Sequence, residues 1–187
     1  MEYLFGGSFD PVTIAHEKII NYLLNNVLKK DDKLYLLPNG DDYSFNGKKL
    51  TSYSIRRKML ETIVNDKRVI ISDLLNVNSF NGVYQILETL NHPIYVIGSD
   101  LLETITTWIN PEKLISENKF LVINRTSYNA NEFLEKNELL KKYKKNFVLT
   151  DLTIENISSS ETRKEKKYSN VSKNIYDIIV ENNLYNL

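Results

Sequence analysis

Short apolar runs alternate with amphipathic stretches along the whole chain. The runs that predict β-strands are residues 2–5, 33–38, 68–72, 93–98, 120–124 and 146–150. The run PIYVIG is apolar almost throughout, which is typical of a strand buried on both faces. Between these runs apolar residues recur with a helical period. This spacing predicts helices over 14–28, 52–64, 83–90, 131–143, 159–166 and 173–184.

Strands that alternate with helices predict an α/β fold, a doubly wound parallel sheet with right-handed crossovers. No linker, repeat or low-complexity segment interrupts the pattern, so we expect one domain over 1–187. Folds of this kind bind ligands at the carboxyl ends of the strands, near the point where strand order reverses. The loops after the first, second, third, fourth and sixth predicted strands are therefore where functional residues are expected.

The composition narrows the classes of function. A chain of 187 residues, 42% of them hydrophobic, suits one globular domain with a closed core. The formal net charge is zero, from 24 basic and 24 acidic residues, which disfavours a nucleic-acid partner. No cysteine is present, which excludes disulfides and cysteine nucleophiles. The start, MEYLFGG, has no basic region and no long apolar run, so we expect no signal peptide, no membrane partner and a cytoplasmic location.

The stretch GGSFDPVTIAH, residues 6–16, follows the first predicted strand. Gly6 and Gly7 have no Cβ, so backbone N–H groups can approach an anion in unusual conformations. The next helix aims free N–H groups and its positive dipole end at the same place. Thr13 and His16 lie one helical turn apart, and His16 can donate from Nε2 to a phosphate oxygen. The stretch predicts a nucleotide phosphate site, and the alternative is a tight turn with a partly buried histidine.

A second candidate stretch, ISSSETR, lies near the C-terminal end of the sequence. Ser158 followed by Glu161 predicts a capping box. The cap would present hydroxyl and N–H groups of Ser159 and Ser160 at another helix N-terminus. We expect Arg163 in the first helical turn, where the dipole disfavours a cation, so a bound anion would offset it there. The alternative is a capped surface helix with a solvated arginine.

The stretch IGSDLLETITTW adds a third group of candidate residues. Gly98 ends the fourth predicted strand, where the backbone must approach a ligand. Asp100 can accept hydrogen bonds from ribose hydroxyls, or it can cap a helix over 101–109. Trp108 is the only tryptophan, and taken alone it predicts an ordinary core aromatic.

The first loop resembles the signature of the nucleotidyltransferase superfamily of adenylyl- and cytidylyltransferases, written GxFDPxxxxH with a terminal (H/T)xGH. The sequence here is Thr13-Ile14-Ala15-His16, with alanine where glycine is usual. ISSSETR resembles the ISSTxxR element of the same superfamily, which contacts the ATP triphosphate, with Ser160 in the place of threonine. The resemblance implies a Rossmann-like nucleotidyltransferase fold with a small C-terminal helical segment.

IGSDLLETITTW resembles the GxD…W stretch of nicotinate and nicotinamide mononucleotide adenylyltransferases, whose matching tryptophan stacks on the pyridine ring. Further resemblances cover most of the chain: SIRRKML with Arg56, VINR ending at Arg125 near the adenine side, and the closing helix VSKNIYDIIVENNLY. GVYQIL, with Tyr84 and Gln85, falls where the family has a threonine-rich turn that grips the carbonyl side of the mononucleotide through backbone groups. The threonines are absent here, but backbone contacts can persist.

The resemblance implies transfer of AMP from ATP to nicotinate or nicotinamide mononucleotide, with Mg²⁺ bound through the ATP phosphates and no protein metal ligands. The implied catalytic residues are His16, Thr13 and Arg163. The implied ATP-binding residues are Gly6, Gly7, Ser8, Phe9, His16, Gly98, Asp100, Arg125, Ser158, Ser159, Ser160 and Arg163. The implied mononucleotide-binding residues are Ser8, Lys48, Tyr84, Gln85 and Trp108, with Lys49 as an alternative to Lys48 at the mononucleotide phosphate. Members of this family are often homo-oligomers.

Two other functions stay open. Phosphopantetheine adenylyltransferases share the first loop and an SSS-like element, although the GSD…W stretch and the Leu184-Tyr185 ending argue against them. The RTxGIST pattern of cytidylyltransferases is absent. A nucleotide-sensing module on the same fold is the other alternative, and the presence of both His16 and Arg163 favours catalysis. The choice between nicotinate and nicotinamide is also open, because backbone groups that the sequence does not place would distinguish the carboxylate from the amide.

Overall fold

The computed structural model describes residues 1–42 and 49–186. The chain divides into two compact units that each join sequence-distant stretches. The first unit comprises Met1–Phe5 and Ser79–Asn156, and the second unit comprises Gly6–Asn78 and Ile157–Leu187. The expectation of one domain over 1–187 stays a prediction.

Six strands form a parallel sheet. They are β1 (Glu2–Gly7), β2 (Lys33–Pro38), β3 (Val69–Ile71), β4 (Ile94–Gly98), β5 (Phe120–Arg125) and β6 (Phe147–Ile154). Their order in the sheet is β3-β2-β1-β4-β5-β6, so the strand order reverses at β1. This is the doubly wound topology that the alternation of elements predicts, and its switch point lies beside β1.

The helices occupy most of the segments between the strands. They are α1 (Ile14–Tyr22), α2 (Tyr53–Ile63), α3 (Leu74–Val77), α4 (Gly82–Thr89), α5 (Pro111–Glu117), α6 (Ala130–Lys136), α7 (Glu138–Lys142), α8 (Ser159–Glu165) and α9 (Lys173–Glu181). Helix α1 continues as a π-helical turn over Leu23–Val27, so the helical pattern predicted over 14–28 is confirmed. In the part of the chain that the structure describes, no helix is both long and apolar enough to span a bilayer.

The core of the first unit lies around β4, β5 and β6. Val96 and Ile97 of β4 and Val122 of β5 are buried, as the apolar run of β4 predicts. Phe120 of β5 stacks on Phe147 of β6 with 4.7 Å between ring centroids. The register of these parallel strands brings the residues after β4 and the end of β5 side by side, because Gly98 pairs with Ile123.

The core of the second unit is built from one face of each of its longer helices and from β2. Buried side chains come from α1, β2, α2 and α9, and they include Ile20, Leu36, Leu60 and Ile179. Helices α2 and α9 contact each other directly. The small C-terminal helical segment, α8 and α9, thus belongs to the same unit as the loop after β1.

Two predicted helices are corrected in length or type. The helix predicted over 131–143 is broken at Asn137, whose side chain accepts hydrogen bonds from the N–H groups of Leu139 and Leu140 and so starts α7. A helix over 101–109 does not form, because Ser99–Glu103 and Ile105–Thr107 are short 3₁₀ turns.

The ends of the chain's last elements also differ from the prediction. Strand β6 runs beyond the predicted 146–150 to Ile154, since an edge strand tolerates polar residues such as Asp151 and Thr153. Helix α9 ends at Glu181, before the predicted end at 184, and a 3₁₀ turn over Leu184–Asn186 follows.

Candidate active site

The loop after β1 has its unusual backbone conformation at an unexpected residue. Gly6 and Gly7 belong to β1, and their φ angles are not in the left-handed region. Phe9 has a φ of 50° instead, with its side chain 1% exposed. A bulky residue in this region is strained and is held only where its surroundings fix it, which happens often at functional sites. The expectation that the glycines supply the unusual conformation is therefore wrong, although the loop itself is strained.

Thr13 and His16 form the start of α1 together. Thr13 is the N-cap, and its backbone N–H donates to Nδ1 of His16 at 3.0 Å. The Thr13 hydroxyl lies 2.9 Å from the same nitrogen. Because Nδ1 accepts from a backbone N–H, a neutral ring carries its proton on Nε2. The ring of Phe9 lies 5.0 Å from the His16 ring, centroid to centroid, and limits its orientation.

The carbonyl of Ser8 is held by a fully buried guanidinium. Nη1 of Arg56 donates to the Ser8 carbonyl at 3.0 Å, and Nε donates to the Thr51 carbonyl at 2.6 Å. Nη2 of Arg56 faces Oδ1 of Asp41 at 3.5 Å. Burial lowers the pKa of Arg56, while the nearby carboxylates of Asp10 and Asp41 oppose that shift. Arg56 therefore stabilises the loop after β1 through buried hydrogen bonds and is not an exposed cation.

The N-terminus of α8 contacts the loop after β1 directly. Ser158 is the N-cap, and its Oγ accepts from the N–H of Glu161 at 3.0 Å, so this half of the predicted capping box is present. The Ser159 hydroxyl donates to the Pro11 carbonyl at 2.8 Å. Nη1 of Arg163 donates to the Asp10 carbonyl. Two stretches that are distant in the sequence, GGSFDPVTIAH and ISSSETR, therefore meet within the second unit.

The position of Arg163 in its helix corrects the sequence argument. Arg163 lies in the last turn of α8, where the dipole favours a cation, and not in the first turn. Its side chain is 18% exposed, and Nη1 lies 3.6 Å from Oδ2 of the buried Asp10. Nη2 donates to the Ser160 hydroxyl at 3.3 Å. The charge of Arg163 thus has a partner inside the protein, and no bound anion is needed to explain it.

Sequence reasoning missed Asp10 as a functional candidate. Its carboxylate is 1% exposed and receives donors from two further segments, Tyr185 and Thr51. The signal was present in the FDP triplet, because a carboxylate beside a predicted anion site is unexpected unless it organises cations.

In the first unit, Gly98, Asp100 and Arg125 lie together after β4 and at the end of β5. Oδ1 of Asp100 lies 3.6 Å from Nε of Arg125. A Cβ on Gly98 would lie 2.2 Å from that carboxylate oxygen, so any larger residue would displace the Asp100 side chain. The buried Ser99 hydroxyl accepts from the N–H of Arg125 at 2.9 Å and donates to the Tyr128 carbonyl at 3.2 Å. Asp100 lies inside the 3₁₀ turn and is not its N-cap, which is Gly98.

The segment around Trp108 contacts the start of α4 through the next residue, Ile109. Trp108 is half-buried and follows the 3₁₀ turn over Ile105–Thr107. The next residue, Ile109, packs on Gly82, where an added Cβ would lie 3.0 Å from the Ile109 Cβ. Gly82 has a φ of 86°, so glycine is required there for conformation as well as for space. The residue after the predicted ring-stacking residue therefore contacts the start of the helix that carries the GVYQIL stretch.

The side chains of Tyr84 and Gln85 are already engaged within the protein. The Tyr84 hydroxyl donates to Oε2 of Glu117 at 2.8 Å, and this bond raises the pKa of Tyr84 to about 12. Oε1 of Gln85 accepts from the N–H of Asn81 at 2.6 Å. The Tyr84 hydroxyl and the Gln85 side-chain oxygen are thus occupied within the protein, and the sequence argument assigns the ligand contact of this turn to its backbone.

The remaining predicted contact is the lysine for the mononucleotide phosphate. Lys48 lies outside the described residues, and Lys49 is exposed. Within residues 1–42 and 49–186, no three His, Cys, Asp or Glu side chains are grouped closely enough to hold a metal ion.

Comparisons with known proteins extend over nearly the whole chain. The profile of the cytidylyltransferase-like family matches residues 4–165. A relative from Acholeplasma laidlawii, named "Probable nicotinate-nucleotide adenylyltransferase", is 33% identical over 192 aligned positions that cover 99% of this chain and 97% of the relative. A relative of the same name from Clostridium acetobutylicum is 31% identical over 198 positions, covering 97% of each chain.

Among solved structures, the chain is similar to a Plasmodium falciparum nicotinic acid mononucleotide adenylyltransferase complexed with NaAD. The two share 26% sequence identity and superpose with a TM-score of 0.80. The likeness covers 99% of this chain and 97% of the other, so it is not confined to the motifs.

Proposed function

Because the chain belongs to the cytidylyltransferase-like family, and within it to the nicotinate-nucleotide adenylyltransferases, we propose that it transfers the adenylyl group of ATP to nicotinate mononucleotide. The products are nicotinate adenine dinucleotide and pyrophosphate, a step in NAD biosynthesis. The substrate named for the relatives favours nicotinate over nicotinamide, a choice that the sequence motifs leave open. The observation that carries the proposal is the contact of Arg163 and Ser159 with the loop after β1.

The chemistry needs no nucleophile from the protein. An oxygen of the mononucleotide 5′-phosphate attacks the α-phosphorus of ATP in line. A new P–O bond forms while the bond from the α-phosphorus to the bridging oxygen breaks, and pyrophosphate leaves with that oxygen. The protein then contributes positioning and stabilisation of the charge that develops on the phosphate oxygens.

His16 supplies a hydrogen-bond donor for the reacting phosphates. With Nδ1 engaged by the Thr13 N–H, the proton on Nε2 is directed away from the cap and donates to an α- or β-phosphate oxygen. Thr13 is fully buried and contacts His16, so we assign it to fixing this ring rather than to touching phosphate. The backbone of Gly6, Gly7, Ser8 and Phe9 lines the same loop.

Arg163 holds the β- and γ-phosphates together with the serines that begin α8. Its guanidinium is anchored by Asp10 on one side, which leaves other N–H donors for phosphate oxygens. Ser158, Ser159 and Ser160 add hydroxyl and N–H groups at the helix start. Mg²⁺ would arrive with ATP and be held by its phosphates and water, as is usual for this ion.

The remaining candidate residues are assigned to the other parts of the substrates. We assign Gly98, Asp100 and Arg125 to the adenosine part of ATP, with the Asp100 carboxylate accepting from ribose hydroxyls. Trp108 stacks on the pyridine ring, and the backbone of Tyr84 and Gln85 contacts its carboxylate side. Ser8 and Lys48, or Lys49 in its place, meet the mononucleotide phosphate, an assignment that rests on the family resemblance alone.

The remaining expectations follow from this reaction. The partners are small molecules, ATP and the mononucleotide, with no nucleic acid and no membrane. We expect the chain to act as one domain in the cytoplasm and to form a homo-oligomer, as members of its family often do.

A pyrophosphate-release assay tests the proposal. Purified protein is given ATP and Mg²⁺ with one of three acceptors: nicotinate mononucleotide, nicotinamide mononucleotide or 4′-phosphopantetheine. We expect the highest kcat/KM with nicotinate mononucleotide. Preference for phosphopantetheine would contradict the proposed acceptor. ATP binding without turnover of any acceptor would contradict catalysis and support a sensing module.

A further inference from the structure

The buried carboxylate of Asp10 is contacted by several segments of the second unit. Its Oδ1 accepts from the Tyr185 hydroxyl at 2.5 Å, and its Oδ2 accepts from the Thr51 N–H at 3.2 Å. The same Oδ2 lies 3.6 Å from Nη1 of Arg163. A carboxylate that is only 1% exposed is stable when such donors surround it and costly when one is removed. Three segments outside the loop after β1 therefore meet at this one group.

The contacts around Tyr185 hold its hydroxyl in position against Asp10. Tyr185 lies in the 3₁₀ turn over Leu184–Asn186 with a φ of 60°, a strained conformation that contacts must hold. Nζ of Lys166, at the end of α8, donates to the Asn186 carbonyl at 2.7 Å. Thr51 Oγ1 lies 3.5 Å from the Tyr185 hydroxyl oxygen. Burial raises the pKa of Tyr185, so the hydroxyl keeps the proton that it donates to Asp10.

Asp10 and a triphosphate would compete for the guanidinium of Arg163. A tight charge-assisted hydrogen bond is about 2.7–2.9 Å long, whereas the pair of Arg163 Nη1 and Asp10 Oδ2 is 3.6 Å apart. Nη1 of Arg163 donates to the main-chain carbonyl of Asp10, while Tyr185 and Thr51 donate to the carboxylate, so the carboxylate itself pairs only loosely with the guanidinium. Without the Tyr185 hydroxyl, Oδ1 would lack its donor, and the carboxylate would draw the guanidinium inward.

We propose that Tyr185 is a positioning residue for ATP binding: its hydroxyl satisfies Asp10 and thereby keeps Arg163 available to the triphosphate. This inference rests on the proposed function, in which Arg163 binds the β- and γ-phosphates. It links the end of the chain to the loop after β1 through hydrogen bonds alone. Tyr185 itself touches neither substrate.

The test is the dissociation constant for ATP of Tyr185→Phe, measured by calorimetry without the acceptor. This variant keeps the ring and removes only the hydroxyl. Loss of a hydrogen bond to a charged group predicts a rise of about tenfold in the ATP Kd. The KM for the mononucleotide should stay within about twofold, since Asp10 organises the ATP side. Tyr176→Phe, on the exposed face of α9, is the matched control and should leave the ATP Kd unchanged.

A second variant distinguishes a positioning role of Tyr185 from a general destabilisation of the ATP site. In an Arg163→Gln background the guanidinium is absent, so Tyr185→Phe should add less than about twofold to the ATP Kd, a strong coupling between the two changes. A purely structural role would weaken ATP binding equally in both backgrounds, and that result would overturn the inference. An unchanged ATP Kd in Tyr185→Phe alone would also overturn it. Because binding is measured without turnover, a wild-type protein that binds ATP but forms no dinucleotide would count against the proposed function alone.

Discussion

The candidate phosphate-binding residues of the second unit and the candidate ring-binding residues of the first unit are held in place by different means. In the second unit, fixed hydrogen bonds orient polar and charged side chains, as between His16 and Thr13 or Arg163 and Asp10. In the first unit, the backbone at Gly82 lies close to the side chain of Ile109, the residue that follows Trp108. An anion is bound by charges and donors at fixed points, while a flat ring is bound by shape. Variants in the two regions should therefore change different kinetic constants.

The largest effect is expected from His16→Ala. The variant loses the donor to the reacting phosphates, so kcat should fall about a hundredfold or more, equivalent to about 2.7 kcal/mol of transition-state stabilisation. The KM for the mononucleotide should change little. Steady-state pyrophosphate release measures both constants.

The other histidine offers the matched control for this variant. His92 Nδ1 lies 2.8 Å from the Asn118 side chain in the first unit, and we give it no role in catalysis. We expect His92→Gln to keep kcat within about twofold of wild type. Normal turnover in His16→Ala would remove the central donor from the mechanism.

Gly82→Ala should act on stability first. The new Cβ would lie 3.0 Å from the Ile109 Cβ, at a residue whose φ is 86°. Strain of this kind predicts a loss of about 1–3 kcal/mol in the free energy of unfolding, measured by urea titration. Adding Ile109→Ala should remove the contacts to Cδ1 and Cγ1 of Ile109, at 3.3 and 3.5 Å, but neither the contact to its Cβ nor the backbone strain, and so restore only a small part of the loss. A fully stable Gly82→Ala variant would show that backbone shape is not constrained at this point.

Trp108→Ala tests the proposed stacking of Trp108 on the pyridine ring of the mononucleotide. Loss of stacking and of buried aromatic area should raise the mononucleotide KM by about tenfold, while the ATP KM stays near the wild-type value. Trp108→Phe should retain part of the affinity, because it keeps an aromatic face. An equal loss of affinity for both substrates would remove Trp108 from the stacking role.

Tyr84→Phe should have the smallest effect on catalysis. Because the Tyr84 hydroxyl is bonded to Glu117, we expect the mononucleotide KM to stay within about twofold. The folded-state pKa of about 12 lies above the ordinary tyrosine pKa of 10.0, so this bond stabilises the fold below pH 10 and its contribution is lost as the pH rises toward 12. The free energy of unfolding should decline less steeply over that interval in the variant. A large rise in KM would instead indicate that the hydroxyl reaches the substrate.

The sequence was informative where local chemistry fixes the structure. The apolar run of β4 and the helical period of α2 predict their elements almost to the residue. The Thr13–His16 spacing predicts that the two residues lie together one helical turn apart, which the structure contains, although the role of Thr13 as the N-cap was not predicted. Local signals of this kind depend on neighbouring residues only, so they are readable in the chain itself.

The sequence was uninformative where a contact joins distant segments. No local pattern connects the residues that hold Phe9 in its strained conformation. The same is true of the hydrogen bond from Arg56 to the Ser8 carbonyl and of the hydrogen bond from Tyr185 to Asp10. The placement of Arg163 in the first turn was wrong for a different reason. The predicted helix already began at 159, as α8 does, so Arg163 lies beyond the first turn by count alone; only its partner Asp10, more than a hundred residues earlier in the chain, is hidden from local patterns.

The central claim is attack on the α-phosphorus of ATP by the mononucleotide phosphate. The most direct measurement follows ATP labelled at the α-phosphorus, in the presence of nicotinate mononucleotide and Mg²⁺. Wild-type protein should move the label into the dinucleotide, and label placed at the γ-phosphorus should appear in pyrophosphate. Transfer of the γ-label to the acceptor, or its release as inorganic phosphate, would contradict the account.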